Sequence, residues 1–381
     1  MAFAMSWEIL WALILGFAIS AMVQAVVSTR EIVRLLGDDR PRTLAVACGL
    51  GAASSSCSYA AVAIARSLFR KGAHFTAAMT FQLASTNLVV ELSLLMVLLL
   101  GWQFAAAEVI GAVVMVTLLA VLFRYFLSDG MVADARAQAE RGVVGRMEGH
   151  ANMHMEVTEG PLVRRVLSSK GRTAISHYFV MDWVSVWLDL VAGLVIAGTL
   201  AVVIPTDVWR TFFLSNHPAL AKLWGPIVGP LIAIVSFVCS VGNVPLAAVL
   251  WANGISFGGA VAFIFADLII LPILDIYRRY YGRRMSLFLL GTFYTAMAGA
   301  AYVVELVFGA FRIVPTARMA LAPQTAIAWN YTTWLDIAFL VLAIFLVTRF
   351  LRTGGPAMLR LMEAAPHTPA GPGHAHSHHM P

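Results

Sequence analysis

Charge is what this sequence has least of. Only 12% of its 381 residues are Asp, Glu, Lys or Arg, while 60% are apolar; soluble globular domains carry about 25% charged residues. A chain of this composition needs lipid around it. Cysteine is scarce too: Cys48, Cys57 and Cys239 are the three in the chain. They contain no CxxC pair and build no disulfide framework, which excludes small oxidised scaffolds and thioredoxin-like motifs. A phosphate-cradling GxxxxGK[ST] loop is missing as well, so any work the chain does is driven by a gradient or by a partner ATPase. The surplus of six positive charges is not a nucleic-acid footprint, because the basic residues lie in short blocks between apolar runs and report orientation instead.

Present in abundance are apolar runs long enough to cross a hydrocarbon core of roughly 30 Å, which takes about 20 helical residues. Residues 7–27, 75–99, 102–123, 180–204, 256–277, 285–311 and 333–351 read as such spans. They are expected to be helices, since a strand barrel shows short alternating segments. The first is too long for a removable signal peptide and lacks a basic n-region and a cleavage site. Two further apolar stretches, 43–65 and 223–251, fit either full crossings or re-entrant hairpins. Threaded as two hairpins with the N-terminus outside, the chain places 22 of its 26 lysines and arginines on the cytoplasmic side. Two full crossings divide them evenly, so the positive-inside rule selects the hairpins.

An internal repeat points the same way. Shifting the sequence by 182 positions aligns residues 57–87 with 239–269 without a gap, and ten positions are identical, among them Cys57/Cys239, Ser58/Ser240, Gly72/Gly254 and Phe75/Phe257. The first hairpin enters from the cytoplasm and the second from outside, so the expected fold is an all-α polytopic membrane protein of two inverted repeats. Each repeat reads span, re-entrant hairpin, span, span, and one C-terminal transmembrane helix follows. Secondary transporters of this architecture bind their substrates near the midplane. The expected division is 1–127 for the first membrane repeat, 128–179 for a cytoplasmic connector that can lie on anionic lipid, and 180–311 for the second repeat. An extracytoplasmic loop at 312–332, the extra helix at 333–351 and a disordered His-rich cytoplasmic tail at 352–381 complete it.

The segments SSSCSYAAVAIARSLFRKGAHFTAAMTFQLASTN and CSVGNVPLAAVLWANGISFGGAVAFIFADLIILPIL resemble the paired signature of a predicted-permease family that includes the organoarsenical efflux permease ArsP. The resemblance covers most of residues 7–311. It implies an inner-membrane efflux permease of about eight spans whose cysteines handle trivalent arsenicals. One departure is visible. Gly242, Asn243 and Pro245 of the second segment have Ala60, Ala61 and Ala63 as counterparts in the first.

Candidate functional residues fall into three groups. Cys57 lies nine residues before Arg66, roughly 13 Å deep at 1.5 Å per residue, and Cys239 reaches a similar depth from the other side. Two thiols there would suit As(III), Cu(I) or Hg(II), although free cysteine also packs as a small hydrophobe. Cys48 has no repeat partner and reads as packing. Ser58, Ser240, Asn243 and Asn87 complete the expected substrate-binding set. Asn87 and Gln82 serve equally well as interhelical hydrogen-bonding glue.

Glu91, Asp189 and Asp267 are acids inside spans with no equally deep basic residue, the pattern of ion coupling. Thr80, Ala84, Asn87 and Glu91 are expected to share one helix face. Finally, His374, His376, His378 and His379 of the tail could collect Zn, Ni, Co or Cu, or be dispensable.

The sequence therefore reads as a gradient-driven permease of the bacterial inner membrane with its C-terminus in the cytoplasm, exporting a thiophilic metalloid or organometalloid. It is not read as an enzyme, and no cofactor is expected. Its expected partners are the substrate and membrane lipid, with no nucleic acid and with homo-oligomerisation left open. The alternatives are a permease of the same architecture for a transition-metal cation or another small solute, and a membrane thiol oxidoreductase or scaffold.

Overall fold

The computed structural model describes residues 2–26, 34–54, 58–140, 155, 157, 162–203, 205–236, 240–316, 318 and 331–364, and all regular structure among them is helical. The first half comprises α1 (Ala2–Val26), α2 (Pro41–Ser54), α3 (Ser58–Arg70), α4 (Phe75–Asn87), α5 (Val90–Leu99) and α6 (Trp102–Phe126). A connecting region holds α7 (Asp129–Glu140) and α8 (Leu162–Leu167). The second half comprises α9 (Ser169–Val203), a short α10 (Thr206–Phe212), α11 (Pro218–Ser236), α12 (Ser240–Ala252), α13 (Phe257–Phe265), a 3-10 turn (Ala266–Leu268), α14 (Leu271–Tyr281) and α15 (Arg283–Ala310). Then come α16 (Tyr331–Arg352) and α17 (Gly355–Ala364). Among the described residues six segments are long and apolar enough to cross a membrane: Phe75–Leu99, Trp102–Phe126, Pro218–Ser236, Phe257–Tyr281, Arg283–Ala310 and Thr333–Arg352. The chain is a multi-pass membrane protein.

Helices α2 and α3 double back on each other. The carbonyl of Leu36, just before α2, accepts the N–H of His74 at 2.7 Å. Leu44, Ala47, Leu68, Ala77 and Phe81 form one apolar cluster, and Gly51 lies on the backbone of Phe81 and Ser85. So α2 runs alongside α4 in the same direction, and α3 returns against it. The second half packs in the same way. Ser215 donates to the carbonyl of Gly254 at 3.3 Å, Gly225 lies against Ser256 and Gly259, and Gly229 lies against Gly259 and Phe263. Each return ends in a glycine of matching hand, Gly72 at φ 111° and Gly254 at φ 109°, a conformation that a side chain would strain.

Aromatic contacts fix which ends meet. Phe69 and Phe75 pack on Tyr281 with ring centroids 6.1 and 5.6 Å away. At the far end Phe104 packs on Trp251 and Phe257 at 5.3 and 4.8 Å. The chain therefore enters α4 where it leaves α14. The leading helices α1 and α9 pack together, with Phe17 edge-on to Trp183 at 5.2 Å.

Three expectations need correction. Residues 75–99 and 256–277 were expected as continuous helices, but both break near the middle. The first breaks at Leu88 (φ −102°, ψ 39°) and Val89 (φ −105°, ψ 144°). The second breaks at Ile269 (φ −119°, ψ 13°) and Ile270 (φ −62°, ψ 149°). Pro272, at the start of α14, lacks the N–H that would continue the second helix. In the first half, Thr86 Oγ1 donates to the Leu83 carbonyl at 3.2 Å and Asn87 Nδ2 to the same carbonyl at 3.1 Å, local bonds that favour helix ends. Because of this break, Glu91 does not continue the face carrying Thr80, Ala84 and Asn87.

Helix α9 starts at Ser169, before residue 180 where the span was expected. The tail, expected to be disordered from residue 352, is helical over Gly355–Ala364, where Met358, Leu359, Leu361 and Met362 supply good helix formers.

Part of the connector is also ordered. Arg136 donates to the carbonyl of Phe69 at 2.9 Å and lies over its ring. Arg66, almost wholly buried, donates to the carbonyl of Ala139 at 2.8 Å and stacks 4.2 Å above the ring of Tyr280. Gln138 donates to the carbonyl of Arg279 at 3.2 Å. Helix α7 thus covers the ends of α3 and α14.

Candidate functional site

One group of buried polar residues lies at the two helix breaks and at the starts of α3 and α12. Asp267, in the 3-10 turn that interrupts its span, is 0% exposed. Ser58, the first residue of α3, donates to its Oδ2 at 2.7 Å, and Thr86 stands beside the same carboxylate. Asp267 Oδ1 has no hydrogen-bond partner among the described residues. This one contact joins the first hairpin to the broken span of the second half.

Around it lie groups only partly satisfied. Asn87 is fully buried and gives its amide protons to Leu83 O and Thr86 Oγ1, both at 3.1 Å. Its Oδ1 has no partner among the described residues, and neither has Thr80 Oγ1. Gln82 donates to the hydroxyl of Tyr277, which makes it a bridge between α4 and α14. Glu91 is buried in the first turn of α5, where the positive end of a helix favours an acid. It packs on Gly16 of α1 so closely that a Cβ there would overlap its own Cβ.

On the second hairpin, Ser240 opens α12 and is buried, as is Asn243 one turn later at 0% exposure. Neither amide atom of Asn243 has a partner among the described residues. Unpaired amides at such burial are costly. Cys57 and Cys239 lie outside the described residues, immediately before Ser58 and Ser240. His374, His376, His378 and His379 also lie outside them, and of Asp189 only the backbone, within α9, is described. Cys48 is a half-buried free thiol in α2. Among the described residues no three His, Cys, Asp or Glu side chains gather as metal ligands.

The sequence reading passed over three buried acids. Asp336 on α16 accepts the N–H of Trp11 at 2.9 Å, and Glu305 accepts that of Gly258. Glu108 on α6 is 1% exposed, with neither oxygen partnered among the described residues. The signal for Glu108 was available: it is the one charged residue in the run 102–123.

Comparison with known proteins agrees with this picture. The model of a family described as "Predicted permease", ArsP_1, matches residues 1–306. The chain is also 60% identical over 345 residues to Rv2963 of Mycobacterium tuberculosis, whose description carries the same word, permease; the match spans 90% of this chain and 85% of the relative. No solved structure matches. A match over most of the chain, together with six segments among the described residues that are long and apolar enough to cross a membrane, places this protein in the ArsP_1 family of predicted permeases.

Proposed function

We propose that the protein exports a thiophilic metalloid or organometalloid across the bacterial inner membrane, using a transmembrane ion gradient. In this reading the halves 1–127 and 180–311 are inverted repeats, and α2–α3 and α11–α12 are re-entrant hairpins whose tips meet near the midplane. Support comes from the shared packing of the two halves, from the opposed ends at which Phe75 and Phe257 start their spans, and from breaks that fall within one position of the 182-residue shift. The connector and tail then face the cytoplasm, and the N-terminus and residues 312–332 face outside.

The observation that carries the reading is the bond from Ser58 to Asp267. It places the residue following Cys57 against a carboxylate in the interrupted helix of the opposite half. Cys57 and Cys239 bind the soft cargo, Ser58, Ser240, Asn87 and Asn243 orient it, and Asp267, Glu91 and Asp189 carry the coupling ion. The tail histidines, if they take part, collect metal at the cytoplasmic mouth.

A second reading has its own support. The described groups at the site are hydroxyls, amides and carboxylates, ligands that suit a harder cation or a polar solute. Growth on a panel of thiophilic toxicants, with and without expression, followed by uptake into everted vesicles, decides between them. Resistance and pH-driven uptake that require Cys57 and Cys239 support the first reading. Transport that survives both serine substitutions favours the second.

A further inference from the structure

Glu108 is the most fully isolated acid among the described residues. It is one of three positions on α6, Phe104, Glu108 and Gly111, that share a face at helical spacing. Phe104 meets Phe257 at 4.8 Å, and Gly111 lies directly on the ring of Phe265. Glu108 therefore faces α13, whose last turn runs directly into Asp267, and the charge of Asp267 acts on it.

Of these two buried acids along α13 and its following turn, only Asp267 has described side-chain donors, Ser58 on Oδ2 with Thr86 beside it. Three of their four carboxylate oxygens have no hydrogen-bond partner among the described residues. The other titratable groups on the packed elements are committed elsewhere. Tyr277 receives the amide of Gln82, and Glu305 sits at the start of α13 on Gly258 with Lys222 and Arg318 nearby. Arg66 is held at the base by Ala139 and Tyr280. A lone carboxylate charge at membrane depth is costly, and two together add mutual repulsion in a weakly screening medium.

We infer that Glu108 is a second proton-binding residue of the transport site, paired with Asp267 so that at most one of the two is charged at a time. The inference deepens the coupling role proposed for Asp267 and rests on that reading. Binding a proton forms an O–H bond on one carboxylate and removes one negative charge from the pair; release to water reverses it. Ser58 biases the residual charge toward Asp267, because its hydroxyl stabilises a carboxylate there. Glu108 then holds its proton until the site opens to water.

Infrared difference spectra of the purified protein in lipid, recorded as pH is stepped, read the C=O stretch of protonated carboxyl groups directly. The expected result is a band that Glu108→Gln removes and Glu108→Asp retains at a shifted position. Asp267→Asn should move its midpoint to lower pH by removing the neighbouring charge. A spectrum unchanged by Glu108→Gln, or a midpoint unmoved by Asp267→Asn, overturns the pairing. In everted vesicles Glu108→Gln should abolish pH-driven flux. Wild-type vesicles that move no solute under a pH gradient sink the coupling reading, while the infrared bands alone decide the pair.

Discussion

Ser58 and Asp267 stand 209 positions apart in sequence and 2.7 Å apart in space. Neither half can form this bond alone, so it reports directly on how the halves are assembled. Ser58→Ala leaves a buried carboxylate oxygen without its donor, which costs about 1–3 kcal/mol, and should lower the melting temperature in detergent. Asp267→Asn and Glu91→Gln keep volume but cannot carry a proton, so each should stay folded and lose pH-driven flux in vesicles. Normal flux in both would return these acids to a structural role.

Cys57→Ser and Cys239→Ser should each abolish export with expression intact, because serine keeps the size but not the soft thiolate. Cys48→Ser should be tolerated. A short thiol crosslinker should join Cys57 to Cys239 in the otherwise unaltered protein, and cargo should protect both from alkylation. Normal export by both serine variants makes these thiols packing residues.

The hairpins depend on glycine contacts. At Gly51 a Cβ would overlap the carbonyl oxygen of Phe81, and at Gly229 that of Gly259. Backbone cannot give way as a flexible side chain can, so Gly51→Val and Gly229→Val should each lose about 1–3 kcal/mol or more, seen as poor yield of monodisperse protein. Gly49 has nothing within 4 Å of its Cβ position. Gly49→Ala is the control and should be neutral or slightly stabilising.

Cysteine labelling from the two sides of the membrane should find residues 66–72, 124–178 and 278–284 and the tail accessible from the cytoplasm, and 312–332 from outside. Labelling of 124–178 from outside would overturn the two-hairpin threading, whose support is charge asymmetry.

Much of this architecture was legible in the sequence because hydrophobicity and repetition are local signals. The apolar runs gave the membrane class, and the repeat paired Gly72 with Gly254, which the structure places at turns whose backbone only glycine adopts easily. The midpoint breaks were harder to read. Pro272 announces the second, but no proline or glycine stands near Leu88 and Val89, and the break there depends on side-chain bonds from Thr86 and Asn87 that compete with the helix. Glu108 was missed for a different reason. It lies only six residues after Trp102, so by position it passes for an acid at the lipid interface; its burial comes from α13, which is remote in sequence. The order in α7 was likewise invisible, since its docking rests on Arg66 and Arg136 finding carbonyls and rings in other elements.

The paired breaks have a consequence for how such a family diversifies. An interrupted helix ends in free carbonyls and resumes with free amides, so each break offers a negative and a positive pole a few ångströms apart. Two such breaks provide poles for either sign of charge before any side chain is considered. Under the proposed function, main chain then supplies a generic welcome, and the choice of cargo passes to a few side chains near the starts of α3 and α12, such as Asn243, whose counterpart in the first half is Ala61. Substitutions there can change what is carried without disturbing the scaffold that carries it.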